Sequence, residues 1–175
     1  MPEQLDGLYL GGGYPELYLP QLSGNHAFLE SLRAAAQKQL PIFAECGGFL
    51  YLQQSIQDAQ GNRFPMAGLL PGTATMGNRL CRFGYITMTA QQDTLCAEKG
   101  AVIRAHSFHY ADSTENGTAF SVLRPNGRTW LEVQQQGSIL AGFPHWYFPS
   151  CPEAAQRFAE QCRRYQKRRN TGCRF

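Results

Sequence analysis

The chain has 175 residues, of which 43% are hydrophobic and 17% charged, and a formal net charge of +3. This balance fits one globular domain with a proper core, and no apolar stretch approaches the roughly 20 residues of a membrane span. The positive charge gathers at the end of the chain, in Arg163, Arg164, Lys167, Arg168 and Arg169. It does not form the basic stripe with interleaved aromatics that a nucleic-acid partner needs, so neither nucleic acid nor membrane is expected.

In chain order, "LDGLYLGGGYPE" predicts a strand, Leu8 to Leu10, that runs into Gly11, Gly12 and Gly13. Such a loop lets the backbone approach something closely because no Cβ obstructs it. It lacks the lysine and spacing of a phosphate loop, and it is not G-x-G-x-x-G. Residues 25–39, "NHAFLESLRAAAQKQ", read as a helix. Phe28, Leu32, Ala35 and Ala36 share one face of it, and Asn25 is its cap.

"PIFAECGGFLYL" then places a short buried strand, Ile42 to Ala44, before Cys46. Gly47 and Gly48 break the strand, and Phe49 to Leu52 begin the next helix. A side chain on a strand-to-helix turn is pushed outward beside free N–H groups, which favour negative charge on a thiol and on a developing oxyanion. Acyl-transfer nucleophiles occupy this kind of turn. The alternative is a buried structural cysteine in a tight bend. Strand, helix, strand and helix in this order imply a parallel sheet with right-handed crossovers. Loops at the carboxyl ends of its strands, Gly11–Gly13 and Cys46 among them, would then face one another.

From Arg79 to Ala141 the pattern changes to short alternating runs, "RFGYITMTA", "AVIRAHSFHYAD", "TAFSVLR" and "TWLEVQQQ". Asn126-Gly127 marks a hairpin turn between two of them. "GSILAGFPHWYF" adds a strand from Ile139 to Phe143 that leads to His145, and a last helix is expected from about Pro152 to Arg168. Of the other histidines, His26 reads as a surface residue. His106 and His109, three apart on a strand, would point to opposite faces and so make a poor metal pair. His145 falls at another carboxyl end of the inferred sheet, where a Cys–His pair would raise the thiolate fraction and protonate a leaving amine. The alternative for His145 is a satisfied, half-buried histidine beside Trp146.

Cys46, Cys81, Cys96, Cys151, Cys162 and Cys173 show no C-x-x-C pair and no zinc-ligand spacing. "MPEQLDGLYL" has no basic region followed by an apolar core, so no signal peptide is read there. A reducing cytoplasm is the expected compartment.

"LDGLYLGGGYPE", "PIFAECGGFLYL", "GYITM", "IRAHSFHYAD" and "AGFPHWYF", in this order and spacing, resemble the C-terminal glutamine amidotransferase domain of cobyrinic acid a,c-diamide synthase, a class I domain of the cobalamin-pathway type. The resemblance spans about Leu5 to Tyr165. It implies a flavodoxin-like α/β fold, a mostly parallel sheet with flanking helices. Position by position it makes Cys46 the nucleophile toward the side-chain amide of glutamine and His145 its activating histidine. Backbone N–H groups at Gly12 or Gly13 and at Gly47 match the oxyanion hole. The place of the H-x-E glutamate of many class I enzymes is held by Tyr147, and the resemblance implies a dyad. A segment usually reading G-H-E-F-H is A-H-S-F-H here, with Ala105 and Ser107, and in the family it shapes the domain interface or substrate side.

The family enzyme also carries an N-terminal synthetase domain with a phosphate loop, and its amidotransferase domain begins with a further strand and helix before "LDGLYL". The expectation is therefore an N-terminally truncated amidotransferase domain at residues 1–168 and a basic tail at 169–175. An exposed sheet edge would favour a partner, either the synthetase domain or a second copy of the chain. Glutamine is the implied substrate. No cofactor or metal is expected on this chain, ATP and Mg belonging to the synthetase domain. Three other readings stand beside this one: a non-catalytic descendant serving as a binding or assembly module, a stand-alone cysteine hydrolase, and the equivalent part of a nickel-sirohydrochlorin a,c-diamide synthase.

Overall fold

A computed structural model describes residues 1–172. In chain order it contains β1 (Leu8–Leu10), a 3-10 turn (Pro15–Leu17), α1 (Leu19–Gly24), α2 (His26–Gln37), β2 (Ile42–Glu45) and α3 (Gly47–Leu52). Next come β3 (Ser55–Gln57), β4 (Arg63–Pro65), β5 (Thr73–Met76), β6 (Arg82–Ala90), β7 (Val102–His109) and β8 (Ala111–Ser113). The last are β9 (Phe120–Leu123), β10 (Thr129–Glu132), β11 (Gln134–Gln136), β12 (Ile139–Gly142), β13 (His145–Trp146) and α4 (Pro152–Gly172).

The central sheet runs β1-β2-β12-β11, with β1–β2 and β2–β12 parallel and β11 antiparallel. Every residue of β2 and of β12 is buried. Side chains alternate across a strand, so the two faces serve two apolar clusters. Ile42, Ala44, Ile139 and Ala141 join one cluster with Leu29, Leu32 and Phe49 from α2 and α3. Phe43 and Leu140 join the other, with Met88, Ile103, Phe120 and Trp146 from the antiparallel strands. This sandwiching of the two strands holds the bend after β2 on a rigid base.

The α/β fold is as read from the sequence, but parallel pairing among the described residues is confined to β1–β2, β2–β12 and β3–β5. The long middle of the chain pairs mostly antiparallel, throughout a five-stranded sheet β10-β9-β6-β7-β13 and, apart from β3–β5, in β4-β3-β5-β8. Its β9–β10 hairpin closes at Asn126-Gly127, where Gly127 takes φ +82° and Arg124 N–H donates to Arg128 O at 3.0 Å.

Local chemistry accounts for several boundaries. Asn25 Oδ1 accepts from Phe28 N–H at 3.2 Å and so caps α2, which turns Leu29, Leu32 and Ala36 inward. The 3-10 turn and α1 each carry proline in their first two positions, where a missing N–H costs nothing. "TWLEVQQQ" divides into β10 and β11 because Val133 takes φ +74° and redirects the chain. The final helix continues past Arg168 to Gly172, which takes the first residues of the anticipated tail into regular structure. The remainder of that tail, with Cys173, lies outside the described residues.

Candidate functional site

Cys46 stands at the carboxyl end of β2, with φ +46° and ψ −107°. A residue with a Cβ held at such a φ carries strain of about 1–3 kcal/mol, which the surroundings must over-determine. They do so from both sides. Cys46 N–H donates to Gly142 O at 2.8 Å, and Cys46 O accepts from Leu50 N–H at 3.0 Å. The glycine loop after β1 packs directly on the bend, and Gly48 N–H donates to Gly11 O at 3.1 Å. A Cβ on Gly47 would lie 2.9 Å from Gly13 N and 2.8 Å from Gly13 O, and one on Gly48 would run into Leu10 O. The glycine pair after the cysteine is thus required by the approach of this loop. The two loops meet as the sheet topology implied.

The opposite wall of the site is His145. β13 pairs antiparallel with β7, setting His145 opposite His106. The Cε1 edge of the His145 ring lies against Gly12, whose Cβ, if present, would collide with it. The imidazole is pushed up to about 10 by the Cys46 side chain first and by Glu45 second, against the opposing effect of burial. Cys46, itself 9% exposed, also has its sulfur 3.9 Å from Phe108 O. The residue is nearly buried, and its side chain is the first influence on the His145 ring.

A carboxylate completes the cluster. Glu45, the last residue of β2, sets Oε2 3.6 Å from His145 Nδ1, an ion-pair distance longer than a hydrogen bond. Its Oε1 accepts from Trp146 N–H at 2.8 Å and its Oε2 from the Tyr9 hydroxyl at 2.7 Å. Tyr9 pairs in register with Phe43 and stacks on its ring at 5.5 Å and 16°. The phenol therefore lies on the same face of the sheet as Glu45. Burial and the Glu45 hydrogen bond push the Tyr9 hydroxyl far up, so it stays a donor. Tyr147, by contrast, is exposed beside the cleft. The dyad implied by the resemblance thus has a carboxylate at its imidazole after all, supplied from the residue before the cysteine. Alternation along β2 puts Phe43 and Glu45 on one face, but only the β1–β2 register and the fold-back of β13 reveal what Glu45 touches.

Of the other expected positions, Gly13 faces open space while Gly12 backs the imidazole. Gly47 N–H sits at the first position of α3, where a helix provides no partner. His106 and His109 do point to opposite faces of β7. His109 is buried, its ring stacked on Phe143 at 3.8 Å and 7°, with Nδ1–H donating to Ala111 O at 2.7 Å. Burial pushes it down to about 4, so it is a neutral packing residue. Ala105 and Ser107 also lie on the buried face of β7, at 3% and 1% exposure. Ala105 nonetheless borders the cleft beside His145, and the buried Ser107 hydroxyl has no hydrogen-bond partner. His106 lines a cleft of about 840 Å³ with Tyr85, Arg104, Arg124, His145 and Tyr147.

Among the described residues no group of three or more His, Cys, Asp or Glu is placed to hold a metal ion. None of their helices is long and apolar enough to cross a membrane. Cys46, Cys81, Cys96, Cys151 and Cys162 are free thiols.

Known proteins bear on this arrangement. Residues 1–151 match the pattern of the CobB/CobQ-like glutamine amidotransferase domain. The cobyrinate a,c-diamide synthase of Salmonella typhimurium is 41% identical over 162 residues, which cover 90% of this chain and 35% of the relative. Those of Dehalococcoides mccartyi and Leptospira interrogans are 35% and 38% identical, over 90% and 91% of this chain and 35% and 37% of theirs. The chain spans about a third of the length of these relatives. In fold, it is similar to a crystal structure of a glutamine amidotransferase, with TM-score 0.62, 18% identity, and coverage of 91% of this chain and 80% of that one. A GMP synthase-type protein from Thermoplasma acidophilum matches at TM-score 0.53 and 14% identity, over 96% of this chain and 78% of that one.

Proposed function

The chain belongs to the CobB/CobQ-like glutamine amidotransferase domain family, and on that premise we propose that it is the glutaminase part of a cobyrinate a,c-diamide synthase in cobalamin synthesis. One observation carries the reading. The thiol at the β2–α3 bend, the glycine loop packed on that bend and the His145 ring backed by Gly12 converge at the carboxyl ends of β1 and β2, with the Cys46 side chain the first influence pushing the imidazole up.

In this reading the Cys46 thiol passes its proton to His145, and the resulting thiolate attacks the side-chain carbonyl carbon of glutamine. Negative charge developing on the carbonyl oxygen is met by N–H groups at Gly47 and at Gly12 or Gly13, a donor of this kind being worth about 3–4 kcal/mol where one has been removed. The carbon–nitrogen bond breaks as the His145 imidazolium gives its proton to the departing nitrogen, and ammonia leaves. A γ-glutamyl thioester on Cys46 remains. Water, deprotonated by the now neutral imidazole, hydrolyses it to glutamate and restores the thiol. Ammonia then passes to an ATP-activated carboxylate on the corrin ring, in a synthetase part like that which the greater length of the relatives accommodates.

The test is glutamate release from glutamine by the purified chain, alone and with a synthetase domain added. Release is expected from the parent and lost in Cys46→Ala and His145→Ala. Equal release by Cys46→Ala would remove Cys46 from the mechanism.

A further inference from the structure

The ring of His145 lies between Gly12, which backs its Cε1 edge, and a carboxylate near its Nδ1, and the carboxylate belongs to the residue directly before the thiol. We propose that Glu45 is the positioning residue of the Cys46–His145 pair, clamped in turn by Tyr9. The proposal rests on the glutaminase reading above and deepens it.

Three features carry it. First, Glu45 grips β13 twice, through the backbone N–H of Trp146 at 2.8 Å and through the ring nitrogen Nδ1 of His145 at 3.6 Å. One side chain therefore sets both the path of the strand that delivers the histidine and the rotation of its ring. With Nδ1 turned to the carboxylate, Nε2 is the nitrogen left for the thiol, which is the division of labour an orienting carboxylate imposes on an imidazole. Second, the carboxylate cannot wander. It is 4% exposed, and the Tyr9 hydroxyl holds Oε2 at 2.7 Å from a ring stacked on Phe43. Third, the position two residues beyond the histidine offers only Tyr147, which is 59% exposed and has no charge to give.

The bend geometry makes the arrangement possible. Glu45 ends β2 on the Phe43 face, and the positive φ of Cys46 turns the next side chain away from strand alternation. Two successive residues can then address the two nitrogens of one ring. The groups facing that ring are Cys46 and Glu45 from the β2–α3 segment and Tyr9 from β1. Arg104 and His106 from β7 and Tyr85 from β6 line the same cleft, and His109, on the other face of β7, acts on it through charge alone.

The test reads the ring itself. Glu45→Gln keeps the length and an acceptor oxygen for Trp146 N–H while removing the charge. Nuclear magnetic resonance of the His145 imidazole should place its titration midpoint at about 10 in the parent and lower in E45Q by about a unit or more. kcat for glutamine hydrolysis should fall about 10- to 100-fold with KM little changed, because orientation and not binding is lost. Glu45→Asp, which retains the charge at shorter reach, should fall between parent and E45Q in both readouts. If E45Q does not fold, E45D alone decides, and a midpoint equal to the parent's overturns the proposal. An unchanged midpoint in folded E45Q overturns it as well. A midpoint that drops in a chain that hydrolyses no glutamine supports the positioning role and counts against the glutaminase reading instead.

Discussion

Adding one methyl group at Gly12 tests how tightly the site is assembled. The Cβ of Gly12→Ala would meet the Cε1 carbon of His145 well inside contact distance, and would lie 3.3 Å from Nδ1 and 3.4 Å from Nε2. Carbon atoms rest about 3.5–4.0 Å apart, so the ring must retreat by about 1 Å or more. A misplacement of that size costs about 100-fold in rate, equivalent to about 2.7 kcal/mol of transition-state stabilisation. Packing should hardly suffer. The His145 side chain is 37% exposed and has the cleft beside it, so it can swing outward, and what is lost near neutral pH is the stabilisation that the imidazolium draws from Cys46 and Glu45. The assay pairs glutaminase kcat with a thermal melt and with the His145 imidazole titration. Expected are a loss of activity of about two orders of magnitude, a midpoint that falls from about 10 as the ring leaves Cys46 and Glu45, and a cooperative melt lowered near neutral pH by no more than the lost imidazolium contribution, the difference closing above about pH 10. Gly24→Ala, where an added Cβ meets nothing within 4 Å, serves as the control and should leave all three unchanged. Parent-like activity in Gly12→Ala, or a melt that collapses together with activity, would mean that the ring is not displaced on an intact fold.

Other expectations follow from the same geometry. Because the His145 ring is raised to about 10 from an ordinary 6.5, its charged form contributes stability fully below about pH 6.5 and loses that contribution as pH climbs through about 10. Glutaminase activity that needs the imidazolium should decline over the same alkaline limb, and comparison of parent and His145→Gln denaturation across this range reads the stability component. His109 runs the other way. Its pKa is lowered by burial to about 4, so its contribution is present above 6.5 and fades as pH falls through about 4; magnetic resonance should find its ring neutral at about pH 5, and a charged ring there would contradict the packing described. Phe49→Ala removes a side chain of 0% exposure that meets Phe143 edge-on at 5.1 Å. Chemical denaturation should register a loss of about 3–5 kcal/mol, and a loss under about 1 kcal/mol would mean that this part of the core is not close-packed.

Elements with strong periodicity or punctuation were legible from residues alone. The stretch 25–39 carries a 3.6-residue stripe and its own cap, and "RFGYITMTA" coincides with β6. The site pair was legible for a different reason. Cys46 sits between an apolar run and two glycines, and His145 follows a buried strand, so each marks a strand end in a parallel arrangement where such ends converge. Glu45 was not legible, because a glutamate closing a short strand has no local signature of burial. Its role depends on Tyr9 and Trp146, residues far apart in the chain, and appears only when β1, β2 and β13 are brought together. The β3-β5 region was silent for want of pattern, since "SIQ" and "TATM" offer neither a long alternation nor a hydrophobic stripe. The antiparallel majority of the sheet pairings likewise depends on long-range partner choice, which alternation within one strand does not encode.

The most direct measurement is mass spectrometry of the chain quenched with acid during turnover of glutamine. A γ-glutamyl thioester is expected on the peptide bearing Cys46 and on none of those bearing Cys81, Cys96, Cys151, Cys162 or Cys173. Glutamate released with no adduct at Cys46, or at the same rate by Cys46→Ala, would contradict that expectation.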